Sequence, residues 1–171
     1  IKVCLNTLGD DESRANYRSA LKEYFAPYVD ELCGDCKRRY EQNPLRILDC
    51  KVDHDHECMK NAPKMSDYLN EASQEYFNTV CELLDNLDIP YEVDDKLVRG
   101  LDYYTHTVFE IVSMNSEMGA QSTVLAGGRY DGLISYFGGP EGMSGIGWAL
   151  GMERLLIALE AEGIELEQKP A

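Results

Sequence analysis

Three stretches in the second half of the chain bring arginine, glycine and tyrosine or tryptophan close together. They are Leu97-Val98-Arg99-Gly100-Leu101-Asp102-Tyr103-Tyr104, Ala126-Gly127-Gly128-Arg129-Tyr130-Asp131-Gly132-Leu133, and Gly145-Ile146-Gly147-Trp148-Ala149-Leu150-Gly151-Met152-Glu153-Arg154-Leu155. Arginine carries a permanently charged planar fork, and glycine leaves backbone that a ligand can approach closely. The pair suits recognition of phosphate or carboxylate. For any one stretch alone, a tight turn beside a surface arginine is a sufficient account. The third stretch invites a nucleotide-fold reading that its spacing rejects. Gly145-x-Gly147-x-x-x-Gly151 is not the dinucleotide fingerprint, and no Lys followed by Ser or Thr makes a P-loop. What is left is a glycine-rich strand running into a helix with Arg154 in its first turn. An anion there would meet free backbone amides and a guanidinium.

A second cluster is rich in sulfur. Cys33-x-x-Cys36 is followed by Cys50, His54, His56 and Cys58. Four such ligands can close a tetrahedral zinc site, and a metal is a sensible way to fix a loop-rich segment. Cys33, Cys36, Cys50 and Cys58 are the first choice of ligands, with unliganded cytosolic thiols as the alternative. Cys4 and Cys81 read as small buried side chains. The only basic cluster, Lys37-Arg38-Arg39, lies in the same segment with Arg46 and Lys51 nearby. It offers phosphate contacts for a nucleic acid, or else forms a solvated helix face paired with Asp35 and Glu41.

The elements that must hold these residues alternate in type along the chain. Ile1 to Thr7 has the period-two pattern of a half-buried strand. From Ser13, Tyr17, Leu21, Tyr24, Phe25, Tyr28 and Leu32 recur at helical spacing, with Pro27 expected to kink or divide the helix. Residues 33–64 read as an irregular connector or a minor helical unit. A second helix is predicted from Ser66 to Leu87, ended by Ile89-Pro90. Strands follow at Tyr91 to Val93, Val108 to Ser113 and Ser122 to Ala126, the last closed by Gly127-Gly128. A final helix starts near Gly151 and is expected to bury Met152, Leu155, Leu156 and Leu159, with Gly163 as its C-terminal cap.

Composition narrows the class. The 171 residues hold 31 acidic and 16 basic side chains, a formal charge of −15, six cysteines and 44% hydrophobic residues. With 14 glycines and 6 prolines a collagen-like repeat is excluded, the hydrophobic content excludes a disordered tail, and the lack of a long apolar run excludes a membrane-spanning helix. An acidic chain repels nucleic acid at long range, so an RNA partner must meet a local basic patch. The start at Ile1, without an initiator Met or a secretory pattern, is that expected of an excised piece, and the cysteine usage predicts a reducing, cytoplasmic setting.

Taken together, the three stretches resemble the class II aminoacyl-tRNA synthetases specific for histidine. Arg99-Gly100-Leu101-Asp102-Tyr103-Tyr104 and Gly127-Gly128-Arg129-Tyr130-Asp131-Gly132 look like that family's two histidine signatures, and Gly151-Met152-Glu153-Arg154-Leu155 is similar to class II motif 3. Asn43-Pro44-Leu45-Arg46-Ile47-Leu48-Asp49 looks like a further stretch of the family, in the expected order. The resemblance implies an enzyme that joins histidine to the α-phosphate of ATP, supplied with Mg2+, and passes it to tRNA(His). Arg99 then matches the catalytic arginine at the α-phosphate and substrate carboxylate. Tyr104 and Tyr130 match contacts to the imidazole, with Tyr103 their neighbour in the histidine-binding set. Arg154 matches the arginine that stacks on adenine and reaches the triphosphate. Lys37, Arg38 and Arg39 would lie in an insertion that approaches the tRNA acceptor stem.

The fold expected on this basis is α+β, an antiparallel sheet of the class II type with helices packed on it. Residues 1–32 and 88–171 would form the later half of a catalytic domain and residues 33–87 a helical insertion. Motif 1, motif 2 and the anticodon-binding domain have no counterpart, so the isolated chain is expected not to aminoacylate, and the parent is expected to be a homodimer. Two other readings stay open: a non-catalytic histidine sensor of the kind that regulates ATP phosphoribosyltransferase, and a zinc-stabilised interaction module built on Cys33 to Cys58.

Overall fold

The computed structural model describes residues 1–98, 103–115, 118 and 122–164. Five strands form one sheet in the order β2-β1-β3-β4-β5, with β1 at Lys2–Thr7, β2 at Tyr91–Val93, β3 at Thr105–Val112, β4 at Thr123–Tyr130 and β5 at Gly145–Leu150. Helices α1 (Asp11–Phe25), α2 (Gly34–Gln42) and α3 (Glu71–Asn86) lie between β1 and β2. The short α4 (Leu133–Tyr136) and then α5 (Met152–Ala161) flank β5. The expected α+β class and the antiparallel ladders β1–β3, β3–β4 and β4–β5 are observed. The short β2 departs from that pattern and pairs parallel with β1, because the chain returns to the sheet only after the long excursion through α1, α2 and α3.

The excursion is anchored by a reciprocal pair of helix caps. Asp10 accepts from the Ser13 amide (2.8 Å) to start α1, and Asn70 accepts from the Ser73 amide (2.9 Å) to start α3. The two caps also serve each other. Ser13 Oγ accepts from the Asn70 amide (3.0 Å), Ser73 Oγ from the Asp10 amide (3.2 Å), and Asn70 Nδ2 donates to Asp10 Oδ2 (2.8 Å). Both serines are fully buried, so every one of these polar groups has to find its partner inside the protein.

Tyr17, Leu21 and Phe25 form the buried stripe of α1 at the predicted helical spacing. Pro27 ends the α-helix as expected, and the chain tightens into a 3-10 turn over Ala26–Glu31. The stripe packs on Leu32, Cys36, Leu45, Ile47, Cys58 and Met65, so α1 shares one core with the connector that follows it. Tyr17 and Tyr24 seal this contact by donating their hydroxyls to the carbonyls of Pro63 (2.9 Å) and Cys58 (2.8 Å). Of the two readings of the connector, the minor helical unit is the one observed: α2 is followed by 3-10 turns at Pro44–Ile47, Glu57–Met59 and Met65–Tyr68.

Two other expectations change. The strand expected to close at Gly127-Gly128 runs through both glycines to Tyr130. The apolar stripes of the later helices are covered only in part: Leu83, Leu87, Met152 and Leu156 are exposed, and α5 has no buried residue. Gly163 does take the left-handed conformation (φ 71°) expected of the cap after α5.

Candidate functional site

Register explains why glycine recurs on β4 and β5. Alternation places Ala126, Gly128 and Tyr130 on one face of β4, opposite Ala149, Gly147 and Gly145 of β5. Apart from Tyr130 these paired residues carry no side chain larger than a methyl group, and the space is taken by tyrosine rings. A methyl on Gly128 would stand 2.8 Å from both the Tyr104 ring and the Thr107 carbonyl oxygen. A methyl on Gly145 would collide with the Tyr130 ring, and one on Gly147 would stand 3.0 Å from the Tyr130 hydroxyl. The bare strands are therefore a floor on which two aromatic side chains lie.

Tyr103 completes a cluster on this floor. Its ring centroid is 4.4 Å from that of Tyr104 and 5.7 Å from that of Tyr130, the second contact being edge-on at 88°. The Tyr103 hydroxyl lies 3.3 Å from the Tyr104 hydroxyl. Tyr104 is buried, whereas Tyr103 and Tyr130 are partly open. Two polar residues fix the backbone on either side of the signature. Buried Asn6 of β1 donates to the Leu97 carbonyl (3.0 Å), and Arg14 of α1 donates to the Tyr104 carbonyl (2.5 Å). Arg14 is itself held by Asp11.

The second signature splits its work between two faces. Arg129, next to Tyr130 in sequence, points the other way. It binds Asp131 through Nε (2.9 and 3.1 Å), donates from Nη1 to the Tyr76 hydroxyl of α3 (3.0 Å) and lies over the Tyr76 ring at 5.0 Å. Asp131 also accepts from Thr105 Oγ1 (3.1 Å), tying the start of β3 to the end of β4. Beside them His106 has a left-handed backbone (φ 49°) at a register shift of β3, and its ring lies 4.8 Å from that of Tyr76. Its Nδ1 is buried without a hydrogen-bond partner among the described residues, its Nε2 is 3.9 Å from Asp131, and burial pushes its pKa down. A cleft of about 850 Å³ opens between Arg14, Tyr103, His106, Asp131 and the aromatic pair Tyr136 and Phe137.

The remaining sequence-predicted residues divide as follows. Tyr103, Tyr104 and Tyr130 come together. Arg154 lies in the first turn of α5, past the Leu150 end of β5, whereas Tyr130 pairs with Gly145 at the strand's other end, roughly 17 Å along an extended strand from Leu150. Arg99 lies outside the described residues. In the basic cluster, Lys37 donates to the Asp30 carbonyl (2.9 Å), Arg38 pairs with Asp35 (2.8 Å) and Arg39 donates to the Arg46 carbonyl (3.0 Å). Among the cysteines, Cys33, Cys36 and Cys50 converge, but the nearby fourth group is Asp53, not Cys58. The Cys58 sulfur instead lies 3.0 Å from His56 Nδ1. Asn6, Arg14, Tyr76 and His106 were not singled out by sequence, because each acts across the fold and none lies inside a motif.

The five-stranded sheet with its packed helices has the α+β architecture expected of a class II aminoacyl-tRNA synthetase catalytic domain, and comparison with known proteins identifies the family. A profile of the histidyl-tRNA synthetase family matches residues 2–155. The histidine–tRNA ligase of Bacillus cytotoxicus is 57% identical over 166 residues, covering 97% of this chain and 39% of its own length. That of Lysinibacillus sphaericus is 54% identical over 167 residues, covering 98% and 39%. The crystal structure of apo Staphylococcus aureus histidyl-tRNA synthetase superposes with a TM-score of 0.72 at 44% identity, over 97% of this chain and 40% of that one. The chain belongs to the histidyl-tRNA synthetase family, and it spans about two fifths of the length of the relatives it matches. Among the described residues no helix is long and apolar enough to cross a membrane.

Proposed function

We propose that the chain supplies the histidine-recognising part of a cytoplasmic histidine–tRNA ligase, the sheet being contributed by residues 1–32 and 88–171 and the helical insertion by residues 33–87. The reaction joins the histidine carboxylate to the α-phosphate of ATP, releases pyrophosphate, and passes the histidyl group to tRNA(His). ATP enters as its magnesium complex. The observation that carries this reading is the tyrosine cluster on a floor cleared by glycine. Phenol hydroxyls donate or accept, so Tyr104 and Tyr130 can meet either imidazole nitrogen, and a side chain lacking those nitrogens leaves them unpaired. Tyr103 orients the Tyr104 hydroxyl through their 3.3 Å contact.

In this reading Arg99 stabilises the charge that develops on the α-phosphate, and Arg154 receives adenine and the outer phosphates at the other end of β5. The length of β5 matches an elongated intermediate with imidazole at one end and adenine at the other. Lys37 and Arg38, on the open side of α2, make backbone contacts to the acceptor stem. Arg39 is half-buried against the Arg46 carbonyl and positions the loop. The active assembly is a homodimer of the longer chain, and the 171-residue chain by itself does not aminoacylate. The intact tyrosine pair and the identity to ligases over nearly the whole chain favour the enzyme over a histidine sensor.

The test is histidine-dependent ATP–pyrophosphate exchange by a full-length ligase carrying this segment. Tyr130→Phe and Tyr104→Phe should each lower kcat/KM for histidine by about 10- to 100-fold, the worth of one lost hydrogen bond in a specificity pocket. Unchanged exchange and unchanged discrimination against non-imidazole amino acids in both variants would refute the assignment.

A further inference from the structure

The connector between α1 and α3 holds a group of side chains that the ligase reaction does not use. Cys33, Cys36, Cys50 and Asp53 each offer a ligand atom, and the four atoms all lie within 4.8 Å of one another. In sequence they form two matching pairs, Cys33-x-x-Cys36 and Cys50-x-x-Asp53, separated by thirteen residues. We propose that they are the four ligands of a structural zinc ion. The inference concerns these residues alone and does not depend on the catalytic reading.

Two of the ligand–ligand distances are already those of a tetrahedron around zinc. With Zn–S of about 2.3 Å, two sulfurs on one ion stand about 3.8 Å apart, and a sulfur and a carboxylate oxygen about 3.6 Å apart. The Cys33 and Cys50 sulfurs are 3.8 Å apart, and Cys50 Sγ is 3.6 Å from Asp53 Oδ2. The first distance is far longer than a disulfide bond. Backbone placement supports the same grouping. Cys33 is the N-cap of α2 and Cys36 lies in its first turn, so the two sulfurs of the first pair are carried one helical turn apart. The Asp53 amide donates to Cys50 Sγ (3.4 Å), and the Cys33 amide donates to the Asp53 carboxylate (3.1 and 3.3 Å). These are the outer-shell bonds that orient metal ligands.

Sulfur donors select zinc over magnesium or calcium, and four protein ligands leave no open position for substrate water, so the role is structural. The ion would clip the start of α2 to the end of the turn over Pro44–Ile47, a region where Cys36 and Ile47 are fully buried but regular hydrogen bonding is sparse. Cys58, hydrogen-bonded to His56, stays outside the site.

The experiment uses the full 171-residue chain, reduced, purified without chelator and exchanged against zinc sulfate before desalting. Metal analysis should find stoichiometric zinc in the wild type and in Cys58→Ser. Cobalt substitution should give thiolate-to-metal charge-transfer absorption with the intense visible bands of a tetrahedral ion. Asp53→Asn should weaken zinc affinity at least about 10-fold, and Cys50→Ser should abolish stoichiometric binding. Should Cys50→Ser fail to fold, chelator titration of the wild type reads the same site through zinc release and loss of thermal stability. Wild-type chain without zinc, a cobalt spectrum without thiolate bands, or Cys58→Ser losing zinc as completely as Asp53→Asn would each overturn the proposal.

Discussion

Gly145→Ala separates the shape of the tyrosine pocket from the stability of the sheet. Gly145 sits opposite Tyr130 in the β4–β5 ladder, and its missing side chain is the space the ring occupies. An added methyl would overlap Cε2 of Tyr130 and stand 3.0 Å from Cδ2 and 3.1 Å from Cζ. Carbon atoms pack at about 3.5–4.0 Å, so the ring must retreat by roughly 1 Å. All three atoms belong to a partly open side chain that can swing, and none is backbone. The fold should therefore survive, with a cost of about 1–3 kcal/mol for the forced rearrangement. Function should suffer more, because a misplacement of about 1 Å in a positioning group costs on the order of 100-fold in rate. The assay is ATP–pyrophosphate exchange at saturating ATP with histidine varied, in a full-length ligase carrying the substitution, together with urea unfolding of the same protein. Gly132→Ala is the control, since a methyl there meets nothing within 4 Å. Wild-type kcat/KM for histidine in Gly145→Ala would refute the idea that the bare strand sets the position of Tyr130.

Two further predictions concern stability. Asn70→Ala removes the acceptor for the Ser73 amide and the donor to Asp10, so it should lower the free energy of unfolding by about 1–2 kcal/mol, read as a lower urea midpoint with unchanged slope. An unchanged midpoint would mean that the reciprocal caps contribute nothing. His106 supplies a pH dependence. Burial lowers its pKa below 6.5, with Arg129 and Arg14 adding to that direction and Asp131 and Asp10 opposing it. The unfolded chain therefore binds a proton that the folded chain resists, and stability should fall as pH drops below about 6.5. His106→Asn, which tolerates the left-handed backbone, should flatten that slope, and an identical slope in both proteins would assign it to other groups.

The legibility of the sequence varied with how local each determinant was. The stripe of Tyr17, Leu21 and Phe25 and the stop at Pro27 depend on residues a turn apart, and both are found as expected. That Tyr103, Tyr104 and Tyr130 come together follows from the two signatures that carry them, and the three rings do converge. Burial of α5 was not readable: Met152 and Leu156 keep helical spacing yet stand exposed, since periodicity defines an apolar stripe but not what covers it. Gly127-Gly128 looked like a strand end because glycine weakens strands. The gain of placing Tyr104 flat against the backbone overrides that preference at Gly128. Asp53 escaped notice as a ligand because cysteine and histidine drew attention to Cys58. The second x-x pair, Cys50 to Asp53, was the signal that could have found it.

Register shows how one short motif serves both substrate and scaffold. In Gly127-Gly128-Arg129-Tyr130-Asp131, alternation sends Gly128 and Tyr130 to the face of the tyrosine cluster, the proposed substrate face, and Gly127 and Arg129 to the other. Tyr130 needs a defined position, and its two neighbours in sequence provide it from behind. Arg129 locks β4 to Tyr76 of α3, while Asp131 locks the same strand end to Thr105 of β3. A guanidinium with its Nε on a carboxylate and an Nη on a phenol cannot be replaced by the single ammonium of lysine without losing one partner. On the proposed reading the arginine of this signature is thus a positioning residue for Tyr130, since its guanidinium is already engaged by Asp131 and Tyr76. Arg129→Lys should lower histidine affinity by moving Tyr130, while leaving the KM for ATP unchanged. A rise in the ATP KM alone would instead place Arg129 on the nucleotide.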